Sequence, residues 1–104
     1  MKKSRIDTGD FFKAIITLKT EKECEMFFDD ICTIQELEAI AQRFEVAKLL
    51  VEGKSYVDIN KETGASTATI CRVSKCINYG EGGYKTAIRR LRGEADAERK
   101  YFAK

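Results

Sequence analysis

Residues 55–78 read Ser55-Tyr-Val-Asp-Ile-Asn-Lys-Glu-Thr-Gly64-Ala-Ser-Thr-Ala-Thr-Ile70-Cys-Arg-Val-Ser-Lys-Cys-Ile-Asn78, and the spacing of their apolar side chains predicts two short helices joined by a tight turn. Ser55 is a residue type that opens a helix by accepting a backbone N–H, and Ser66 repeats that signal in front of the second helix. Between them stands Gly64, where the chain must reverse steeply and a residue without a Cβ tolerates the positive φ this demands. Ile59, Ala65, Ile70 and Val73 then share the inner faces of the pair and hold its angle. Thr67, Ala68 and Thr69 are left on an exposed first turn, small enough for the helix end to approach another surface closely.

Two helices at a glycine turn are the layout that carries a reading helix into the major groove of DNA. Threonine can donate or accept a hydrogen bond and offer its methyl to thymine, whereas alanine makes only the apolar contact. Ser66, Thr67, Ala68 and Thr69 are therefore the candidate reading residues. Affinity would come from phosphate neutralisation by Lys54, Lys61, Arg72, Lys75, Lys85, Arg89 and Arg90. The overall charge of +2 hides an asymmetry: residues 1–52 carry eight Lys/Arg against eleven Asp/Glu, while residues 53–104 carry eleven against six. A solvated basic surface would also explain that clustering, and a helix-turn-helix can serve as a dimerisation module that binds another protein.

Working outward, the chain reads as all-α. Proline is absent, glycines separate the periodic segments, and the β-branched runs are too short and too charged to alternate as strands. Thr33-Ile-Gln-Glu36 is a capping box that opens the longest helix, whose stripe Leu37, Ile40, Ala41, Phe44, Ala47 and Leu50 continues to a stop at Gly53. Upstream, Phe11, Phe12, Ile15 and Ile16 follow a helical stripe that Thr8 or Asp10 could cap, and Cys24, Phe27, Phe28 and Ile31 follow another after Thr20. Downstream, Tyr79-Gly-Glu-Gly-Gly83 reads as flexible, Tyr84 to Leu91 as a short helix, and Gly93 to Lys104 as a charged tail. The 104 residues thus make one helical DNA-binding domain: dimerisation helices over 1–52, the helix-turn-helix over 55–78, and a C-terminal helix and tail over 83–104. The aromatic stripes before Ser55 exceed what so small a chain hides alone, and a homodimer would bury them.

Several classes fall away. There is no histidine, no glycine-rich phosphate loop and no carboxylate pair in a context that would separate two pKa values, so an enzyme is not expected. Cys24, Cys32, Cys71 and Cys76 lack the paired spacing of a zinc site and read as free, partly buried thiols of a reducing cytoplasm. No apolar stretch is long enough for a membrane span, and no apolar core follows the basic Met1-Lys-Lys-Ser-Arg5, so the protein is expected to be cytoplasmic.

Gly64-Ala-Ser-Thr-Ala-Thr-Ile-Cys-Arg72 resembles the reading-helix signature of the Trp repressor family, and Thr33-Ile-Gln-Glu36, Arg43 and Leu49-Leu50 followed by Glu52-Gly53 stand at the matching spacing. Over residues 33–78 the chain is similar to the Trp-repressor-like branch of that family. The resemblance implies a Trp-repressor-like helical bundle, an intertwined homodimer whose N-terminal helices interlock, and a transcriptional regulator, a repressor, that binds double-stranded DNA. It also implies an effector pocket in which Arg43 and Arg72 flank an indole ring and Thr33 lies at the ligand's ammonium end. A guanidinium plane stacks well on an aromatic face. Val73, however, replaces a glycine on the pocket floor and Cys76 replaces a polar contact, which argues against L-tryptophan. Either the pocket takes a smaller or different small-molecule effector, or Val73 fills it and no cofactor is needed. Arg43 and Arg72 could equally pair with acids such as Glu45 or Glu62. Val57 and Asn60 stand where the family has basic contacts to DNA, so no operator sequence carries over, although Lys61 could replace some of the lost charge.

Overall fold

The computed structural model describes residues 6–96, and among them there are six helices and no strand. In chain order these are α1 (Gly9–Ile15), α2 (Glu21–Ile31), α3 (Ile34–Val51), α4 (Tyr56–Thr63), α5 (Thr67–Tyr79) and α6 (Gly83–Asp96). They fall into two compact units divided after Leu37, so α3 begins in the first and runs through the second. The basic residues 1–5 and the end of the tail, 97–104, lie outside the described residues.

The first unit is held by aromatic contacts. Phe11 meets Phe12 at 5.5 Å and Phe27 at 6.0 Å between ring centroids, and Phe27 meets Phe28 edge-on at 5.3 Å. Thr20 opens α2 by accepting from the Glu23 N–H at 3.0 Å, and the Glu23 carboxylate accepts in return from the Lys19 N–H at 2.7 Å. Thr8 stands at the start of α1 but its hydroxyl makes no capping bond there; the carboxylate of Asp7 takes the Gly9 N–H instead, at 2.9 Å. Neither α1 nor α2 contains a buried residue, and Phe12 and Ile16 are 59% and 82% exposed. The capping box at the head of α3 is complete: Glu36 N–H donates to Thr33 Oγ1 at 3.0 Å, and Thr33 N–H donates to Glu36 Oε1 at 2.9 Å.

The second unit has the core. Val46 and Ala47 of α3, Ile59 of α4, Ala65 of the turn, Ile70 and Val73 of α5 and Ile88 of α6 are each at most 1% exposed. The four inner-face residues expected of the motif are all among them. Val46 was not on the expected stripe of α3, whereas Ile40 and Ala41, which were, are exposed. α3 stops as expected: Gly53 has φ 88, its N–H donates to the Leu50 carbonyl at 3.0 Å, and the Lys54 N–H donates to that of Leu49 at 3.0 Å.

Three expectations need correction. The last helix is longer than Tyr84–Leu91, running to Asp96 through Gly93. A glycine inside a helix costs only about 1 kcal/mol, which flanking packing offsets. Ile88 anchors this helix in the core, and Arg92 pairs with Glu52 at the end of α3. Within the segment 79–83, α5 continues to Tyr79, Gly80 closes it, and α6 already begins at Gly83. Finally, the thiols are free but mostly exposed: Cys24, Cys71 and Cys76 are on the surface and Cys32 is half-buried.

Candidate nucleic-acid interface

The turn between α4 and α5 is bonded from both sides. Ser55 Oγ accepts from the Asp58 N–H at 3.1 Å to open α4, and the helix ends at Gly64 with φ 76. A Cβ built on Gly64 would meet no heavy atom within 4 Å, so it is the left-handed backbone and not crowding that requires glycine. Asn60 Nδ2 donates to the Ala65 carbonyl at 2.8 Å, and Thr63 Oγ1 donates to the Ile59 carbonyl at 2.8 Å while accepting from the Ala65 N–H at 3.1 Å. From α3, Gln42 Nε2 donates to the Thr63 carbonyl at 3.1 Å. Asn60 is thus committed to the turn.

Ser66 Oγ accepts from the Thr69 N–H at 3.1 Å, which fixes where α5 begins. Ser66→Ala is expected to lower stability by about 1 kcal/mol in denaturant melts through loss of this cap. Beyond it α5 has two opposed faces. Ile70 and Val73 are buried and Ile77 half-buried on one, while Thr67, Ala68, Cys71, Arg72 and Lys75 are all exposed on the other. Thr69 falls between them, half-buried, with its hydroxyl oxygen accepting from Ser66 Oγ at 3.2 Å. Of the proposed reading residues, Thr67 and Ala68 are therefore the unencumbered pair, and Ser66 and Thr69 are partly occupied in holding the helix end. Cys71, not counted among them, lies on the same exposed face.

The electrostatics of this face have one sign. No carboxylate occurs between Glu62 and Glu81, so α5 combines a bare positive helix end with Arg72 and Lys75. Lys61 is exposed in the last turn of α4. The acids gather elsewhere: Glu38, Glu45 and Glu62 line a groove of ≈ 450 Å³ between α3 and α4.

The residues implied as an effector pocket each have their own surroundings. Thr33 is engaged as the cap of α3. Val73 is buried in the core, whereas Cys76 lines an apolar groove of ≈ 480 Å³ together with Phe44, Tyr84 and Ala87. Arg43 and Arg72 are exposed, and among the described residues neither is in an ion pair; Glu45 pairs with Lys48 at 3.0 Å. Both arginines nonetheless act on Tyr84. Burial pushes the Tyr84 phenol above its ordinary pKa and the Cys76 thiol adds to this, while the two guanidinium charges draw it back. Sequence periodicity placed Tyr84 on the apolar side of its helix but gave no sign that it shares a groove with Phe44 of α3 and Cys76 of α5. The one available signal was the glycine cluster just before it, which lets the chain fold back.

The profile of the Trp repressor protein family matches residues 7–92. The chain belongs to that family. The match runs from ahead of α1 into α6, well beyond the residues on which the resemblance was first drawn. Among Trp repressor relatives and neighbours, the uncharacterized protein YerC of Bacillus subtilis (strain 168) is 53% identical over 86 residues, 83% of each chain. A TrpR like protein from Eubacterium eligens ATCC 27750 superposes with a TM-score of 0.77 at 51% identity, covering 80% of this chain and 86% of its own. A candidate Trp repressor from Staphylococcus aureus gives the same TM-score of 0.77 at 42% identity, covering 80% of this chain and 83% of its own. The two solved structures share the all-helical, Trp-repressor-like fold of this chain. Among the described residues, no helix is long and apolar enough to cross a membrane.

Proposed function

We propose that this chain is a homodimeric, sequence-specific DNA-binding transcriptional regulator of the cytoplasm, a repressor and not an enzyme, that lays the start of α5 in the major groove. The observation that carries the reading is the outer face of α5: a capped but otherwise bare helix end, small side chains at its tip, and cations without acids behind it. Membership of the Trp repressor protein family supports it. Thr67, Ala68 and Cys71 would meet base edges, and Arg72, Lys75 and Lys61 would hold phosphates. The absence of any buried residue in α1 and α2 supports the homodimer, because a second copy would cover Phe12, Ile16, Met26, Ile31 and Ile34. Two heads related by a two-fold axis then read half-sites about one helical turn apart, ~34 Å.

Selection of bound fragments from random duplexes tests this directly. A palindromic motif supports the proposal, and no enrichment even at low salt rejects it. Thr67→Ala should then alter the selected base at one position of each half-site, a discrimination of about 1–3 kcal/mol, and leave the dimer unchanged in size-exclusion chromatography. A protein-docking module would show no change of sequence preference, having none.

A further inference from the structure

We propose that Tyr84 is a positioning residue for DNA binding: packed half-buried against the core and lining one groove with Phe44 of α3 and Cys76 of α5, it lets the reading helix keep its angle with no small molecule bound. The proposal rests on the reading of α5 as the DNA-contacting helix. The chain takes a costly route to place this ring. α5 ends at Tyr79, and a Cβ on Gly80 would collide with the Cys76 carbonyl, so the backbone passes tightly over the last turn of the reading helix. Gly82, with φ 90, completes the reversal, and α6 begins at Gly83 with Tyr84 in its first turn.

From there Tyr84 packs, half-buried, against the cluster that contains Val46 and Ala47 of α3 and Ile70 and Val73 of α5, and it lines the groove beside Phe44 and Cys76. A planar ring at a three-helix junction fixes the spacing of all three, because cores yield little to changes of shape. Burial raises the phenol's pKa above its ordinary value, while the charges of Arg43 on α3 and Arg72 on α5 draw it back. Val73 points into the core beneath, so the support of the reading helix is built from the chain's own side chains.

The test is fluorescence anisotropy on a selected duplex with exhaustively dialysed wild type, Tyr84→Phe and Tyr84→Ala, each with and without p-cresol, a molecule of the shape removed. The wild type should bind without additive and Tyr84→Phe should match it. Tyr84→Ala, folded by circular dichroism, should bind roughly tenfold more weakly if its binding-competent fraction falls to about a tenth, and p-cresol should restore most of that loss. Equal binding by Tyr84→Ala overturns the proposal, as does a weakened but folded variant that p-cresol cannot rescue, or a dialysed wild type that binds only after a cell metabolite fraction is added. A wild type that binds no duplex under any condition overturns the reading of α5 itself, and this proposal with it. Should Tyr84→Ala fail to fold, Tyr84→Leu keeps apolar volume without the planar ring; weaker binding supports the wedge and equal binding overturns it.

Discussion

Raising the salt concentration from about 50 to 200 mM is expected to weaken the complex of this protein with its selected duplex by about 10³ or more. The estimate comes from counting cations that can reach phosphates. Lys61, Arg72 and Lys75 are exposed on or beside the outer face of α5, and a two-fold dimer doubles them, giving about six contacts, the lower end of the range in which such losses are seen. Each phosphate contact releases condensed counterions, so a double-logarithmic plot of affinity against salt should fall with a slope near −5. Participation by Lys54, Lys85, Arg89 or Arg90, also exposed, would steepen it. Replacing Lys75 by alanine in both heads should reduce the slope by about 2 and leave the preferred sequence unchanged, because a phosphate contact positions without specifying. Equilibrium titrations at four or five salt concentrations measure both quantities. A slope near zero would mean that the basic face of α5 does not lie on a nucleic acid backbone.

How much of this was legible in the sequence depends on how local each determinant is. The helix-turn-helix was legible because a cap, a glycine and an inner-face residue act within a few positions of themselves: Ser55, Ser66, the Thr33–Glu36 box and the turn at Gly64 all behave in space as their chemistry dictates. The reach of α6 was not, because Gly93 locally favours a stop, while the anchoring of Ile88 and the pairing of Arg92 with Glu52 depend on residues distant in the chain. At the site, the division between exposed and buried faces of α5 followed from period alone. The unequal freedom of Thr67 and Thr69 did not, since it depends on one hydroxyl contact with Ser66. The surroundings of Tyr84 were the least legible, because the groove it lines is completed by Phe44 and Cys76 from two other helices.

Ile70→Ala is expected to destabilise the fold by about 2–5 kcal/mol. Ile70 is fully buried, one turn into α5 on the side facing Ile59 of α4 and the core residues of α3. Truncation removes buried methyl and methylene groups and leaves a cavity that these helices cannot readily close, because the turn between α4 and α5 is held by the Asn60, Thr63 and Gln42 bonds. Against a total stability on the order of 5–15 kcal/mol, such a loss leaves a substantial fraction of molecules poorly folded near physiological temperature. Urea titration should show the midpoint falling with little change in slope, the sign of lost stability without a changed unfolded state. The contrast with Thr67→Ala, one turn earlier and exposed at the helix end, separates the two tasks of the helix. That substitution should leave the urea midpoint almost unmoved while changing the sequence bound, whereas Ile70→Ala should weaken binding to every duplex alike, because fewer heads are correctly folded. If Ile70→Ala altered sequence preference while the midpoint held, the inner and outer faces of α5 would have been assigned the wrong way round.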